Sequence, residues 1–249
     1  MRYWTSDWHL NSEIVRQTSH RPWKTAEEMN AALLKTAVVK TIHDQVIHVG
    51  DLIQSGKDRG TEIAKDKQLT WDQIARKCIC QLICVEGNHD YSNNVPFICR
   101  SMKTRVGNYN ITVGHYPSWY EEAAGTFVIG RYDRFCIPTV HVCGHVHQAW
   151  QVAYDKVHGV LNINVGIDAN KYKLLSDADL IELIRRAYVW FKHVDTSART
   201  FKDCSFKQWE HELAKKKQTE AADKHAKMLE WLKANKPEIY EAKMKRVTK

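Results

Sequence analysis

One pattern constrains the fold of this chain more than any other: an apolar, β-like run that ends at glycine and passes at once into Asp, Asn or His. Val46-Ile47-His48-Val49 ends in Gly50-Asp51, and the run from Ile79 to Val85 ends in Glu86-Gly87-Asn88-His89-Asp90. Ile111-Thr112-Val113 leads into Gly114-His115-Tyr116-Pro117, and Val140-His141-Val142-Cys143 into Gly144-His145-Val146-His147. Leu161 to Val165 leads into Gly166-Ile167-Asp168, and Tyr3-Trp4-Thr5-Ser6 opens the series ahead of Asp7-Trp8-His9. A buried strand has little reason to end in consecutive polar side chains unless they converge on something.

Helical patterns lie between these runs. Met29, Leu33, Leu34, Ala37 and Val38 are helically spaced over 26–42, with Thr25 and Glu28 placed as a capping box. A second helix is expected over 62–77, and a last one over Asp177 to Arg186. Strands alternating with helices argue for a layered α/β fold. Such folds bind ligands in the loops beyond the carboxyl ends of their strands, so the polar residues should meet at one edge. A hydrophobic fraction of 43%, with nine Trp, is enough for a real core and excludes global disorder.

The character changes after about residue 190. We divide the chain into a globular domain over 1–190 and a basic helical extension over 191–249. The extension is rich in helix formers, with apolar stripes at Phe206, Trp209 and Leu213 and at Met228, Leu229 and Leu232, and Pro237 starts a final short helix. Residues 201–249 carry 13 Lys/Arg against 8 Asp/Glu, which places most of the chain's net charge of +8 in the extension. A solvated helix face accounts for such a tail, and so does contact with nucleic acid. The seven Cys are odd in number and form no C-x-x-C pair, which points to reduced thiols rather than a cysteine zinc site. No run of 18 apolar residues and no signal-like N-terminus is present, so neither a membrane span nor secretion is expected, and the expected location is the cytoplasm.

The chemistry resides in five segments: Asp7-x-His9, Gly50-Asp51, Gly87-Asn88-His89-Asp90, the His115 segment and Gly144-His145-x-His147. In an extended segment residues two apart point the same way, so Asp7 and His9 can reach one ion, and His145 and His147 share a facing in the same manner. Carboxylate, carboxamide and imidazole together suit first-row divalent metals, and no thiolate falls within a motif. His43, His48, His141, His158, His193, His211 and His225 lie outside the motifs and read as structural or surface residues.

Together these segments resemble the calcineurin-like metallophosphoesterases, over residues 3 to about 170, and most closely the small single-domain members of bacteria and their viruses. Arg21-Pro22-Trp23, Glu28-Met29-Asn30 and Asn164-Val165-Gly166 are similar to stretches of those proteins. The resemblance implies a four-layer α/β/β/α sandwich with a two-metal site at one edge, Mn foremost and Fe, Zn, Ni or Co as alternatives. It implies Asp7, His9, Asp51 and His147 around one ion, and Asp51, Asn88, His115 and His145 around the other. A hydroxide bridging the ions would attack phosphorus in line, with His89 as general acid and Asp90 orienting the His89 ring.

The chain departs from the Ser/Thr protein phosphatases, which carry Gly-Asp-x-x-Asp-Arg-Gly where Gly50 to Gly56 has no Arg; this disfavours phosphoprotein substrates. The expected partner is a small phosphorylated substrate, foremost a nucleoside or deoxynucleoside 5′-monophosphate, contacted by His20, Arg21 and Tyr116. A phosphodiesterase or nuclease using the basic extension is the alternative.

Overall fold

The computed structural model describes residues 1–38, 40–54, 63–120, 138–193, 200–201 and 204–236. Its secondary structure runs β1 (Arg2–Thr5), α1 (Glu13–Thr18), α2 (Ala26–Val38), β2 (Gln45–Val49), α3 (Trp71–Lys77), β3 (Gln81–Val85), β4 (Ser101–Val106), β5 (Tyr109–Gly114) and β6 (Thr139–Cys143). It continues with β7 (Val152–Asp155), β8 (Val160–Asn164), β9 (Leu175–Ser176), α4 (Asp177–Phe191), β10 (Thr200–Phe201) and α5 (Cys204–Asn235). The strands form two sheets, one ordered β3-β2-β1-β9 and the other β10-β7-β8-β6-β5-β4. This is the mixed, two-sheet α/β arrangement expected from the sequence.

The register positions the site. Strands β1, β2 and β3 run parallel, with Thr5 level with His48 and His48 level with Cys84. In the second sheet β5, β6 and β8 run parallel, with Val113 level with Val142 and Val142 with Ile163. Each of these strands precedes one of the polar segments, so all six segments emerge at aligned carboxyl ends. Backbone bonds then bind the emerging loops together: Asp7 N to Gly50 O and His9 N to Asp51 O at 3.0 Å, and Gly144 N to His115 O at 2.9 Å. A parallel bridge between Ser6 and Gly166 links the chain just beyond the carboxyl ends of β1 and β8, one strand from each sheet.

Helices α2 and α3 bury Met29, Leu33, Leu34, Ala37 and Ile74 in one apolar cluster with Trp8, Leu10, Val46 and Cys84. Helix α4 buries Leu180, Leu183, Ile184, Ala187 and Trp190 and lies against β1, β4, β8 and β9. The chain divides into two compact units, Met1–Asp203 and Cys204–Lys249. Pairing of β10 with β7 carries the second sheet past residue 190, where the composition changes. Helix α5 is one continuous element of 32 residues, mostly exposed between Leu213 and Met228. Pro237 and the short helix expected after it lie outside the described residues. No helix among the described residues is long and apolar enough to cross a membrane.

The helix expected over 62–77 is shorter. Thr70 and Gln73 form a capping box that starts α3 at Trp71, and Lys65–Lys67 make a 3₁₀ turn instead. Cys78 caps α3 and Cys80 precedes β3, so the strand begins later than the apolar run. Strands β4, β7, β9 and β10 are additions to the sequence reading. In β4 the polar residues Lys103 and Arg105 alternate on an edge strand whose apolar pattern is weak.

Two histidines outside the motifs are buried within strands. His48 in β2 is fully buried, both its nitrogens lack hydrogen-bond partners among the described residues, and its ring meets Trp8 edge-on at 5.2 Å. His141 in β6 donates from Nε2 to the Tyr116 carbonyl at 2.9 Å and accepts the Thr112 hydroxyl on Nδ1 at 2.8 Å. Burial pushes His48 down to about 3 and His141 down to about 4. An unfolded histidine titrates near 6.5. Between that value and the folded ones the unfolded chain binds more protons, so stability falls as pH drops through this window. We expect the urea midpoint to fall between about pH 7 and about pH 5. His48→Phe, which takes two unpartnered nitrogens out of the core, should hold its stability at neutral pH and flatten that fall. A variant as acid-sensitive as the parent would place the proton uptake elsewhere.

Candidate metal centre

Three overlapping groups of ligand atoms assemble at the shared strand edge: Asp7, His9 and His147; His9, Asp51 and His89; and Asp51, His115 and His145. Within each group one atom per residue lies within 4.8 Å of the others. His9 and Asp51 each belong to two groups, which makes the centre continuous. The Asp51 carboxylate, nearly excluded from solvent, directs Oδ2 at His9 Nε2 (3.4 Å) and His115 Nε2 (3.2 Å). Asn88 Oδ1 lies 3.1 Å from His115 Nε2 and 3.2 Å from His145 Nδ1, so it joins the group on that side.

The outer hydrogen bonds determine which nitrogen faces inward. His115 donates from Nδ1 to the Val49 carbonyl at 2.9 Å, and His147 from Nδ1 to Asp168 at 2.8 Å. His9 Nδ1 lies 3.1 Å from the Gln54 amide oxygen. A proton held on Nδ1 leaves Nε2 as the lone-pair donor, the usual arrangement for a ligating imidazole. His9 Nε2 is buried and has no hydrogen-bond partner among the described residues. A buried, unpartnered lone pair facing a carboxylate is costly in a protein interior. It is what a cation between the two groups would satisfy, and the donor set is the hard-to-borderline mixture that first-row divalent ions take. The residues therefore fit a metal.

The buried Asp51 carboxylate and the burial of the rings set the protonation of the centre. Burial works against ionisation of Asp51, but the neighbouring His115 and His9 and the His89 amide hold its carboxyl well below the usual range. Burial opposes protonation of His115, yet the Asp51 charge pushes it up to about 9. Burial lowers His9 despite Asp51, and burial together with His115 lowers His145. His147 is raised: burial opposes protonation, and the Asp168 hydrogen bond outweighs it.

The backbone is strained where it presents these groups. Asp7, His9, Asp51, His145 and His147 all have positive φ, between 45° and 70°. Each such non-glycine residue costs roughly 1–3 kcal/mol and persists only where its surroundings hold it. Close backbone approach is part of that hold. A Cβ on Gly87 would collide with the Asp51 amide and carboxylate, and one on Gly144 would collide with the Ser6 hydroxyl and Asp7 carboxylate.

Two sequence expectations change. Arg21 was expected to contact substrate. Its side chain is instead fully buried and its donors are committed, to both Asp168 oxygens at 2.8 Å and to the carbonyls of Asp7 (2.6 Å) and Trp8 (2.7 Å). It fixes the Asp7–His9 turn and the Asp168 carboxylate that orients His147. Asp90 was expected to orient the His89 ring. Its carboxylate accepts the backbone amides of Asp51, Leu52 and Gly87 at 2.8–2.9 Å, so it ties the Asp51 loop to the Asn88-His89 loop. Burial first, and then the Asp51 charge, raise it to about 6.

Of the other proposed contacts, His20 is exposed beside Ser19, whose hydroxyl lies 3.4 Å from His147 Nδ1. The half-buried Tyr116 ring lies 4.7 Å from that of His145. The sequence reading gave no role in the site to Gln54, to Asp168 or to Asn164, whose amide donates to the His147 and Trp150 carbonyls at 2.7 Å. Asp168 was within reach, because it stands at a strand end like the ligands; Gln54 carries no such signal.

A two-sheet α/β fold with carboxylates and imidazoles converging at its parallel strand ends defines a class of metal-centred α/β proteins. The family model of the calcineurin-like phosphoesterase superfamily domain matches residues 4–172, and the chain belongs to that superfamily. No curated protein matches the chain. Among solved structures, a protein of unknown function from Aquifex aeolicus has the same fold, at 20% identity and a TM-score of 0.52, covering 74% of this chain and 98% of its own. The Escherichia coli phosphoesterase Yfce is 17% identical over 66% of this chain and 77% of its own, with a TM-score of 0.35.

The outer shell gives a direct test. Asp168→Asn removes the charge that holds His147 and pairs with Arg21, and should weaken Mn²⁺ binding in calorimetry by roughly 10- to 100-fold. Unchanged affinity in a folded variant would show that His147 needs no such support.

Proposed function

We propose that this protein is a two-metal phosphoesterase that hydrolyses phosphate monoesters, with nucleoside and deoxynucleoside 5′-monophosphates as its substrate class. The observation that carries this reading is the sharing of Asp51 between ligand groups that also contain His9 on one side and His115 and His145 on the other. One ion would be held by Asp7, His9, Asp51 and His147, and the other by Asp51, Asn88, His115 and His145. Manganese is the first choice, and Fe, Zn, Ni and Co suit the same donors. When bound, such a pair supplies a nucleophile at neutral pH and neutralises charge on the phosphate.

The chain's own residues do the rest. His89, half-buried, has its ring 5.1 Å from that of His9 and its amide on Asp51 Oδ1 at 2.9 Å. Its ring gives a proton to the leaving oxygen, so that the departing group leaves as an alcohol rather than an alkoxide. Asp90 keeps the Asp51 and His89 loops in register while this happens. His20 and Tyr116, at the exposed and half-buried rim, are the substrate contacts of this reading. A phosphodiesterase or nuclease is the second reading, favoured by the exposed Lys215-Lys216-Lys217 run on α5; nucleic acid would then be the partner.

Asp51→Asn should abolish both activity and metal binding, since one change reaches both ligand groups. His89→Asn should leave metal binding intact and lower turnover by roughly 10²- to 10⁴-fold; full activity in that variant would remove His89 from the mechanism. With Mn²⁺ and an EDTA control, phosphate release from nucleoside 5′-monophosphates with intact bis-(p-nitrophenyl) phosphate and oligonucleotide is the expected result. Diester cleavage with little phosphate release would replace the monoesterase reading with the second one.

A further inference from the structure

Besides the ligand loops, the described residues form a cleft of about 370 Å³ walled by Asn11, Ile53, Trp71, Asp72, Asn93 and Asn94, among others. Its size falls within the range of small-molecule sites. Its walls are continuations of the ligand loops: Asn11 lies two residues after His9, Ile53 two after Asp51, and Asn93 four after His89. The Asn93 side-chain amide donates to the His89 carbonyl at 2.5 Å and to the Ile53 carbonyl at 3.0 Å. The cleft therefore borders the segment that carries the proposed acid.

Its chemistry is selective. None of its described lining residues is Lys or Arg, so among them no cation meets a second phosphate or a polyanion. It offers one half-buried indole, Trp71, with the exposed Asp72 and Asn94 beside it. An aromatic face with neutral amides and one carboxylate acceptor suits a flat heterocycle attached to a hydroxylated sugar. Stacking serves the ring, and Asp72 and Asn94 serve the hydroxyls and base edges. Asn94 holds a left-handed backbone, with φ at 53°.

We infer that this cleft is the nucleoside subsite, holding the leaving group of the ester next to His89. The inference rests on the monoesterase reading for its place in the reaction. In that step a water oxygen bonds to phosphorus and the bond from phosphorus to the 5′ oxygen breaks; the 5′ oxygen takes the His89 proton, the water's proton restores it, and the products are inorganic phosphate and the nucleoside. The leaving oxygen has to lie at the acid, so the nucleoside attached to it lies on the His89 side.

The test uses the full chain and two kinds of readout. The first is calorimetric binding of free nucleosides, without metal, to the parent and to Asn94→Gly, which suits the left-handed backbone and removes the amide. The second is kcat/KM with Mn²⁺ for nucleoside 5′-monophosphates and for p-nitrophenyl phosphate, which has no nucleoside, in the parent, Asn94→Gly, Asp72→Ala and Trp71→Ala. We expect nucleosides to bind the parent and to lose affinity in Asn94→Gly. We also expect Trp71→Ala to lower kcat/KM for nucleotides by at least roughly tenfold, within what base stacking supplies, and Asn94→Gly and Asp72→Ala by roughly tenfold, as the loss of a hydrogen bond does, with p-nitrophenyl phosphate hydrolysed as before. Trp71 packs on the core cluster, so an equal loss on both substrates in Trp71→Ala alone marks misfolding, and the two exposed positions then decide. Parent-like nucleotide turnover in Asn94→Gly and Asp72→Ala, or hydrolysis of both esters without nucleoside binding, would overturn the subsite and leave the monoesterase standing. Nucleoside binding that Asn94→Gly abolishes, in a protein that releases no phosphate from either ester, would uphold the cleft and sink the monoesterase reading instead.

Discussion

The buried carboxylate of Asp51 is the constraint around which the rest is arranged. Taking a carboxylate out of water costs several kcal/mol unless charge and hydrogen bonds replace the water. Here Oδ1 accepts the His89 amide and Oδ2 faces two imidazole nitrogens. The Asp51 backbone can stand there only because Asp90, itself buried, accepts the amides of Asp51 and Leu52 on one side and of Gly87 on the other. One carboxylate positions the loop and the other equips it. This division explains why consecutive loops at the strand ends are so rich in acids that never reach solvent.

The left-handed turns belong to the same economy of space. Side chains from six strand ends can point at one spot only if their backbones fold back sharply, and glycine would turn easily but bring no ligand. The chain instead puts Asp and His in the left-handed region and uses glycine where a neighbour leaves no room for a Cβ. Arg21 holds the first of these turns from below through the Asp7 and Trp8 carbonyls, while its ion pair with Asp168 reaches across to His147. A guanidinium suits this task because its fixed fork serves a carboxylate and two carbonyls at once.

Superfamily membership accounts for the fold and for the ligand-bearing loops, whereas substrate choice lies in what surrounds them. Around this centre the walls differ in kind. Tyr116 and Tyr120 bring aromatic rings against His145 on one side, and the described lining of the cleft at Trp71 mixes polar and apolar residues and includes no Lys or Arg. The surplus positive charge resides largely in the separate helical unit. A small, partly neutral substrate and an extended anionic one would therefore meet different parts of the molecule.

Read by itself, the sequence determined which residues gather and on what kind of scaffold. Apolar runs ending in Gly-Asp, Gly-Asn-His-Asp and Gly-His-x-His mark parallel strand ends, because only a strand that stops at a shared edge can hand a polar residue to its neighbours. It also located α2 and α4 through their apolar spacing. The tertiary structure alone decided the rest, since those choices depend on partners distant in the chain. Thr70 rather than residue 62 starts a helix because its hydroxyl finds the Gln73 amide, and β4 and β10 become strands because a sheet edge offers them a ladder. Arg21 reads as a substrate contact in sequence and becomes a buried brace because Asp168, 147 residues away, folds beside it. Asp90 reads as a partner of its neighbour and becomes the clasp of another loop because three backbone amides, whose direction no sequence specifies, turn toward it.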